Sequence, residues 1–175
     1  LTLFLFWEIM AFSSVFLVWY RKIPSSIDSG FRYLLWHVIG GLILFSGIMI
    51  QYSVSGDLSI QYLPFHGWWP TDIQSLATFL ILIGFIVNAA VPPFGAWLPD
   101  AYPAATVTGA VFMSAFTTKT AVYALIRVCA GSEILIFLGV VMAIYGVVYA
   151  VLENDARRLL AYHIISQVGY MVAGT

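Results

Sequence analysis

Six long apolar stretches, separated by short polar ones, set the pattern of this chain. The first runs from Leu1 to Tyr20, the second from about Phe31 to Gln51, and the third from about Ile73 to Pro92. The fourth covers about Ala104 to Val128, the fifth about Ile134 to Leu152, and the sixth begins near Leu159. A helix needs roughly 20 apolar residues to cross a bilayer core, so each stretch predicts a membrane-spanning helix and the fold class is all-α and polytopic. The long connection from Tyr52 to Asp72 carries Pro64, Pro70, Trp68 and Trp69, and tryptophans suit the headgroup boundary. The apolar pattern is interrupted at Pro92-Pro93. A proline inside a helix loses a backbone bond and clashes with the preceding turn, and within lipid such a break survives only inside protein or beside water. A Pro-broken helix is therefore expected near 88–97, turning through Trp97-Leu98-Pro99-Asp100 before the fourth span.

Composition agrees with a membrane location. The chain is 62% hydrophobic and 9% charged, whereas soluble domains carry about 25% charged residues; the mean hydropathy is +0.96. A net charge of -1 gives no footing for nucleic acid. The single Cys129 excludes an internal disulfide and a cysteine-held metal site. There is no phosphate-binding glycine loop, nucleophile elbow or metal-ligand cluster. No catalytic residue, cofactor or metal is expected, and any electron chemistry of a larger assembly would belong to other chains. Both ends lie inside apolar runs, which predicts one partial transmembrane domain over 1–175, cut at both ends and without a signal peptide. No internal repeat is visible.

Charge in the short connections predicts orientation. Arg21, Lys22 and Arg32 follow the first span and Arg157 and Arg158 follow the fifth, whereas the alternate side holds only Arg127. Positive charge marks the cytoplasmic side, so the Tyr52 to Asp72 connection is expected outside.

Two charges fall within the spans. Glu8 precedes Arg21 by thirteen residues and so lies ~20 Å from the cytoplasmic edge. Lys119 precedes Arg127 by eight residues, which places it ~12 Å from the outer edge. Each costs ~2.5–3.5 kcal/mol on insertion scales, and such residues face the bundle interior and mark a pathway. The competing reading is a structural ion pair that locks two helices. The fourth span also carries Thr106, Thr108, Ser114, Thr117, Thr118 and Thr120, with Tyr123 one turn beyond Lys119. Hydroxyls alone glue helices; beside Lys119 they would line a wet cavity. In the sixth span His163, Ser166, Gln167 and Tyr170 recur at i, i+3, i+4 and i+7, one helical face. That stripe suits a proton relay or, equally, interhelical hydrogen bonding. His37 reads as a packing residue and His66 as a loop residue. Asp100 is expected to cap the segment after it. Glu153, Asp155, Arg157 and Arg158 read as a solvated turn.

Taken together, FWEIMAFSS, WLPDAYPAATVTGAVFMSAFTTKTAVYALIR and ENDARRLLAYHIISQVGYM resemble the antiporter-like membrane subunits of respiratory complex I and of Mrp-type multisubunit cation/proton antiporters, the D-type subunit of the latter above all. The resemblance covers nearly the whole chain. Its six spans, counted at roughly 20 residues each, would be six of the family's roughly fourteen helices. It implies translocation of protons or Na+ along a central water path in a bacterial inner (plasma) membrane, with other membrane subunits as partners. Glu8 matches the family's membrane glutamate, Lys119 a central lysine, and Pro92-Pro93 the discontinuous helix. One departure matters. The family's usual lysine nine residues before the WLPD tryptophan is here Asn88, and its common histidine two residues before that tryptophan is here Gly95. Asparagine does not titrate, so either Lys119 takes over as the partner of Glu8, with His163 and Tyr170 extending the relay, or this copy moves ions differently. Asn88 also keeps open a non-conducting structural subunit. A small-solute transporter with its site at the broken helix is a further class, against which the few polar side chains around the break argue.

Overall fold

The computed structural model describes residues 1–60, 62–63 and 65–175; Pro64 of the long connection lies outside the described residues. Seven α-helices account for most of them, and no strand occurs among the described residues. They are α1 (Thr2–Trp19), α2 (Pro24–Ser55), α3 (Ile73–Asn88), α4 (Trp97–Ala104), α5 (Val107–Val128), α6 (Glu133–Leu152) and α7 (Ala156–Ala173). Among the described residues α1, α2, α5 and α6 are long and apolar enough to cross a membrane unaided. The other two expected spans are α3, only 16 residues before its break, and α7, which carries Arg157 and Arg158 in its first turn.

Three boundaries differ from expectation, each for a local reason. α2 begins at Pro24 rather than Phe31 and runs for 32 residues. Pro24 stands at the start of the helix, where a missing N–H costs nothing. The helix stops where Gly56 takes a left-handed φ of 70°, as a C-terminal glycine readily does. Arg32, expected in a loop, thus lies within α2. At the second boundary, Trp97-Leu98-Pro99-Asp100 is the first turn of α4, because Pro99 falls where a helix's N–H groups have no acceptor anyway. Thirdly, α7 starts at Ala156, where the Asp155 side chain accepts from the Arg157 N–H at 2.8 Å.

The break after α3 is a complete C-terminal motif. Val91 N–H bonds to Ile86 O and Ala90 N–H to Val87 O, both at 3.2 Å, with Ala90 at φ 59°. This is the paired 6→1 and 5→2 arrangement that ends helices, here with alanine in the left-handed position where glycine is usual. The Pro92-Pro93 peptide is cis. A single 3₁₀ turn, Phe94–Ala96, leads into α4.

Small residues set the packing. In α6 and α7 a Cβ at Gly146 would lie 2.7 Å from Tyr162 O, and one at Gly169 would lie 2.6 Å from Ala143 N. In α2 and α3 a Cβ at Gly84 would lie 2.6 Å from Leu44 Cβ, and one at Gly47 would lie 2.8 Å from Ile81 N. Without a hydrophobic drive between helices in lipid, close approach of backbones through small residues supplies the contact. Phe6, Ile9 and Phe16 of α1, and Ile136, Val140 and Ile144 of α6, point outward.

Candidate functional site

The broken helix is held in place from its own sequence. The Trp97 indole N–H donates to Val87 O at 3.0 Å, spanning the gap between α3 and α4. Trp97 is buried, with the rings of Tyr33 and His37 beside it at centroid distances of 5.2 and 4.6 Å. At Gly95 a Cβ would collide with the Ala90 carbonyl. No side chain fits there without moving the break.

Asn88 ends α3 and faces the interior. It is 1% exposed, and neither its Oδ1 nor its Nδ2 has a hydrogen-bond partner. A Cβ at Gly40 of α2 would sit 3.6 Å from Asn88 Oδ1. Glu8 of α1 reaches the adjacent residue of α2. A Cβ at Gly41 would collide with Glu8 Oε1, and it would lie 2.9 Å from Glu8 Cδ. Glu8 Oε1 is buried without a partner. Glu8 and Asn88 therefore approach the Gly40-Gly41 step from two neighbouring helices.

Lys119 occupies a different place. It is half-buried and lines a cavity of about 600 Å³ between α5 and α7, together with Tyr102, Ser114, Arg157, His163 and Gln167. Just before it, residues Met113–Thr117 form a π-turn within α5. The Tyr102 hydroxyl donates to Met113 O at 3.0 Å, which satisfies a carbonyl at the start of that turn. Such turns are frequent at functional sites, and no residue type in the sequence signals this one.

The expected pairing of Glu8 with Lys119 is not present. Among the described residues the ion pairs are Arg32–Asp100 and Arg158–Glu153, both at 3.5 Å. Glu8 lies against Gly41, and Lys119 faces α7. Depth along the membrane normal, which made them look like partners, says nothing of direction around a helix. The polar stripe of α7 is divided as well. His163 and Gln167 line the Lys119 cavity, Ser166 is buried against Gly146, and Tyr170, 59% exposed, lies in a separate groove with Val140 and Ile144. Tyr123 is 57% exposed and lines no part of the cavity. Of the hydroxyls, Ser114 lines the cavity, Thr117 and Thr118 are buried, and Thr106 caps α5 by accepting from Gly109 N–H at 3.1 Å.

Asp100 pairs with Arg32 instead of capping a helix. Nor is the turn before α7 only a solvated one. Arg157 donates to Pro103 O at 3.3 Å, Arg21 to the same carbonyl at 3.0 Å, and Ser26 Oγ to Ala104 O at 2.8 Å. Cations at the C-terminal end of α4 meet its unpaired carbonyls. This clasp gathers the beginnings of α2 and α7 and the end of α1 around one short helix. His37, read from the sequence as a packing residue, is 1% exposed and packed against Tyr33 and Trp97, with its Nε2 unpartnered.

A broken helix beside a glutamate, and a lysine-lined cavity on the helix that follows, place the chain in the class of polytopic all-helical membrane bundles. The chain belongs to the NADH:quinone oxidoreductase/Mrp antiporter transmembrane family, whose model matches residues 1–175. It is 32% identical over 184 residues to the Na(+)/H(+) antiporter subunit A1 of Staphylococcus aureus, which covers 98% of this chain and 23% of the relative. The chain thus spans about a quarter of the curated relatives it matches. The D-type designation is inexact, since these relatives are A-type subunits of the same family. Among solved structures it is similar to a chain of the Mrp complex from Dietzia sp., with a TM-score of 0.83, 28% identity, and coverage of 98% of this chain and 34% of that one. It is similar to a chain of the archaeal membrane-bound sulfane sulfur reductase, with a TM-score of 0.83, 26% identity, and coverage of 98% and 37%. A chain of respiratory complex I from Thermus thermophilus matches with a TM-score of 0.75, 29% identity, and coverage of 86% and 34%.

Proposed function

We propose that this chain is part of the ion-conducting bundle of a membrane subunit that moves protons, or exchanges Na+ for protons, within a hetero-oligomeric complex of a bacterial plasma membrane. One observation carries the reading. Lys119 lies half-buried on the wall of a cavity that also holds His163, Gln167 and Ser114, directly after a π-turn and beside a broken helix. Ionisable residues within membrane helices mark ion paths. In this reading Lys119 holds and releases the proton, and His163 exchanges it with water in the cavity. Glu8 and Asn88 form a second station at the break, while Tyr123 and Tyr170 are left outside the path. Other membrane subunits are the partners, as in the complexes to which the similar chains belong.

The end that carries Arg21, Lys22, Arg157 and Arg158 is assigned to the cytoplasm by the positive-inside rule. Its clasp around α4 supports a common side for these residues. Labelling of Lys22→Cys from the cytoplasm and of His66→Cys from outside tests this orientation; the reverse pattern would overturn it.

The test of function is ion flux in vesicles holding the intact complex. Lys119→Ala is expected to lower proton flux at least about tenfold, equivalent to ~1.4 kcal/mol on the barrier. Flux unchanged by Lys119→Ala, with the complex assembled, would remove the proposal. It would favour instead a non-conducting scaffold, a reading that the non-titrating Asn88 also supports.

A further inference from the structure

The rotational phase of α5 changes just before Lys119. Val107, Val111 and Ser114 line the cavity at i, i+4 and i+7, one face of a helix that turns about 100° per residue. A continuous α-helix would carry that face on to i+11, which is Thr118. Lys119 would then fall in line with Thr108 and Phe112, and Phe112 is 58% exposed. The structure departs from this spacing. Lys119 lines the cavity and Thr118 does not; Thr118 is buried elsewhere. Between the two halves of α5 stands the π-turn Met113–Thr117. A π-turn closes its bonds from i to i+5 and so takes in one residue more than an α-turn. Everything after it is set back by about 100°. That step puts Lys119 in the place that an unbroken helix would assign to Thr118.

A π-turn disturbs the regular ladder of the helix, and a buried carbonyl left outside that ladder needs another donor. Here the donor is the Tyr102 hydroxyl, 3.0 Å from Met113 O, on a side chain only 4% exposed. The same hydroxyl approaches Thr118 Oγ1, which is buried without a partner of its own. Tyr102 thus meets the residue that opens the turn and the one just past its end. Tyr102 is itself fixed from both sides. Its ring stands against Trp97 at a centroid distance of 6.1 Å, and the Trp97 N–H reaches Val87 O across the break. On the other side Pro103 O and Ala104 O, next in the chain, are clasped by Arg21, Arg157 and Ser26. Thr120 Oγ1 also bonds to a carbonyl of the turn, Phe116 O, at 2.6 Å. That is the usual back-bond of a helical threonine to residue i−4 and needs no π-turn.

We propose that Tyr102 is a positioning residue for Lys119: its hydroxyl holds the π-turn of α5 open, and the turn directs Lys119 into the cavity beside His163. The effect on flux rests on the ion-transport reading above, whereas the placement of Lys119 stands on the contacts alone. If α5 straightened into a continuous α-helix with all its residues, Lys119 would rotate by about 100° toward the face of Phe112. Thr118 would take its place on the cavity wall, and the cavity would lose its lysine. The short helix after the break is therefore the part of the molecule that registers Lys119, and the break and the cavity are joined through one side chain.

The experiment uses the intact complex in vesicles, as wild type, Tyr102→Phe, a deletion of Phe116, the two changes combined, and Lys119→Ala. Phenylalanine keeps the ring and removes only the donor. Phe116 lies within the turn and is 59% exposed. Deleting it takes out the extra residue and leaves both halves of α5 in their present phase, so Lys119 stays in the cavity without help from Tyr102. Tyr102→Phe is expected to lower proton flux at least about tenfold, as a misplaced group does. Adding the deletion should return flux to within about threefold of wild type. A high-resolution map of the Tyr102→Phe complex should show α5 continuous through 113–117, with Thr118 on the cavity wall. Flux unchanged by Tyr102→Phe, while Lys119→Ala abolishes it, overturns the role of Tyr102. So does a loss that the deletion does not return, because Tyr102 would then serve packing or the path itself. An intact π-turn in the Tyr102→Phe map overturns the role whatever the flux. Absence of flux in the wild type, or flux unchanged by Lys119→Ala, removes the transport reading instead and leaves the map to decide the placement. Where Tyr102→Phe alone does not assemble, the combined variant decides. Its assembly with flux supports the proposal, and its failure overturns it.

Discussion

Glu8 and Asn88 reach adjacent glycines of α2, whereas Lys119 faces α7 across the cavity. Side chains that share an environment show non-additive mutational effects, and separate sites add to within ~0.3–0.5 kcal/mol. Glu8→Gln and Asn88→Lys should therefore couple by more than ~0.5 kcal/mol in the flux barrier, while Glu8→Gln and Lys119→Ala should come closer to additive. Flux measured over both double-mutant cycles checks this, and equal coupling in the two would contradict the geometry. Gly41 gives a second residue-level prediction. A methyl there collides with Glu8 Oε1, and forcing extra atoms into a packed site costs ~1–3 kcal/mol. Gly41→Ala should lower the thermal stability of the complex or displace the Glu8 side chain with loss of flux, whereas Gly174→Ala, where a Cβ meets only ordinary van der Waals contacts, should leave flux unaltered.

At the scale of the element, the broken helix depends on few bonds. α3 ends because Ala90 turns left-handed, and α4 is registered against it by the Trp97 N–H to Val87 O bond. Trp97→Phe keeps an aromatic ring but removes the indole donor from Val87 O, which retains its bond from Ala90 N–H, a cost of ~0.5–1.5 kcal/mol. The expected result is a lower unfolding temperature and easier protease cleavage or hydrogen exchange at 88–97. An unchanged exchange pattern would show that Trp97 does not hold the break. Sequence reasoning located this break correctly, because proline chemistry is local. It misread WLPD as a turn and Asp100 as a cap, because the partners that settle both, Arg32 and the start of α4, come from tertiary placement. The π-turn before Lys119 had no local signal at all.

Across the whole molecule, the helices are joined by close backbone approach at glycine and by the arginine clasp at one end. Packing of α6 on α7 passes through Gly139, Gly146 and Gly169, each with backbone atoms of the facing helix where a Cβ would stand. Gly146→Leu should separate the two helices and remove His163 from the cavity. Reduced recovery of the assembled complex, with loss of flux, is the expected readout, whereas Val151→Leu on the outward face, 80% exposed, should be neutral. Normal assembly of Gly146→Leu would mean that α6 and α7 are held together by other contacts.

What the amino-acid sequence determined by itself was the class of the protein. Apolar runs long enough for a bilayer, a double proline, two intramembrane charges and ordered motifs are linear features, since hydropathy and proline geometry act along the chain. They led to an all-helical membrane fold, to the family and to Lys119 and Glu8 as residues of interest. Which residues meet was decided only in three dimensions. Glu8 lies at Gly41 rather than beside Lys119, His163 joins the cavity without Tyr170, and His37 is buried with its Nε2 unpartnered. The reason is geometric: a helical residue's depth follows from counting at ~1.5 Å per residue, but its facing partner depends on how each helix is rotated against its neighbours, and that rotation is set by side-chain packing summed over the whole bundle.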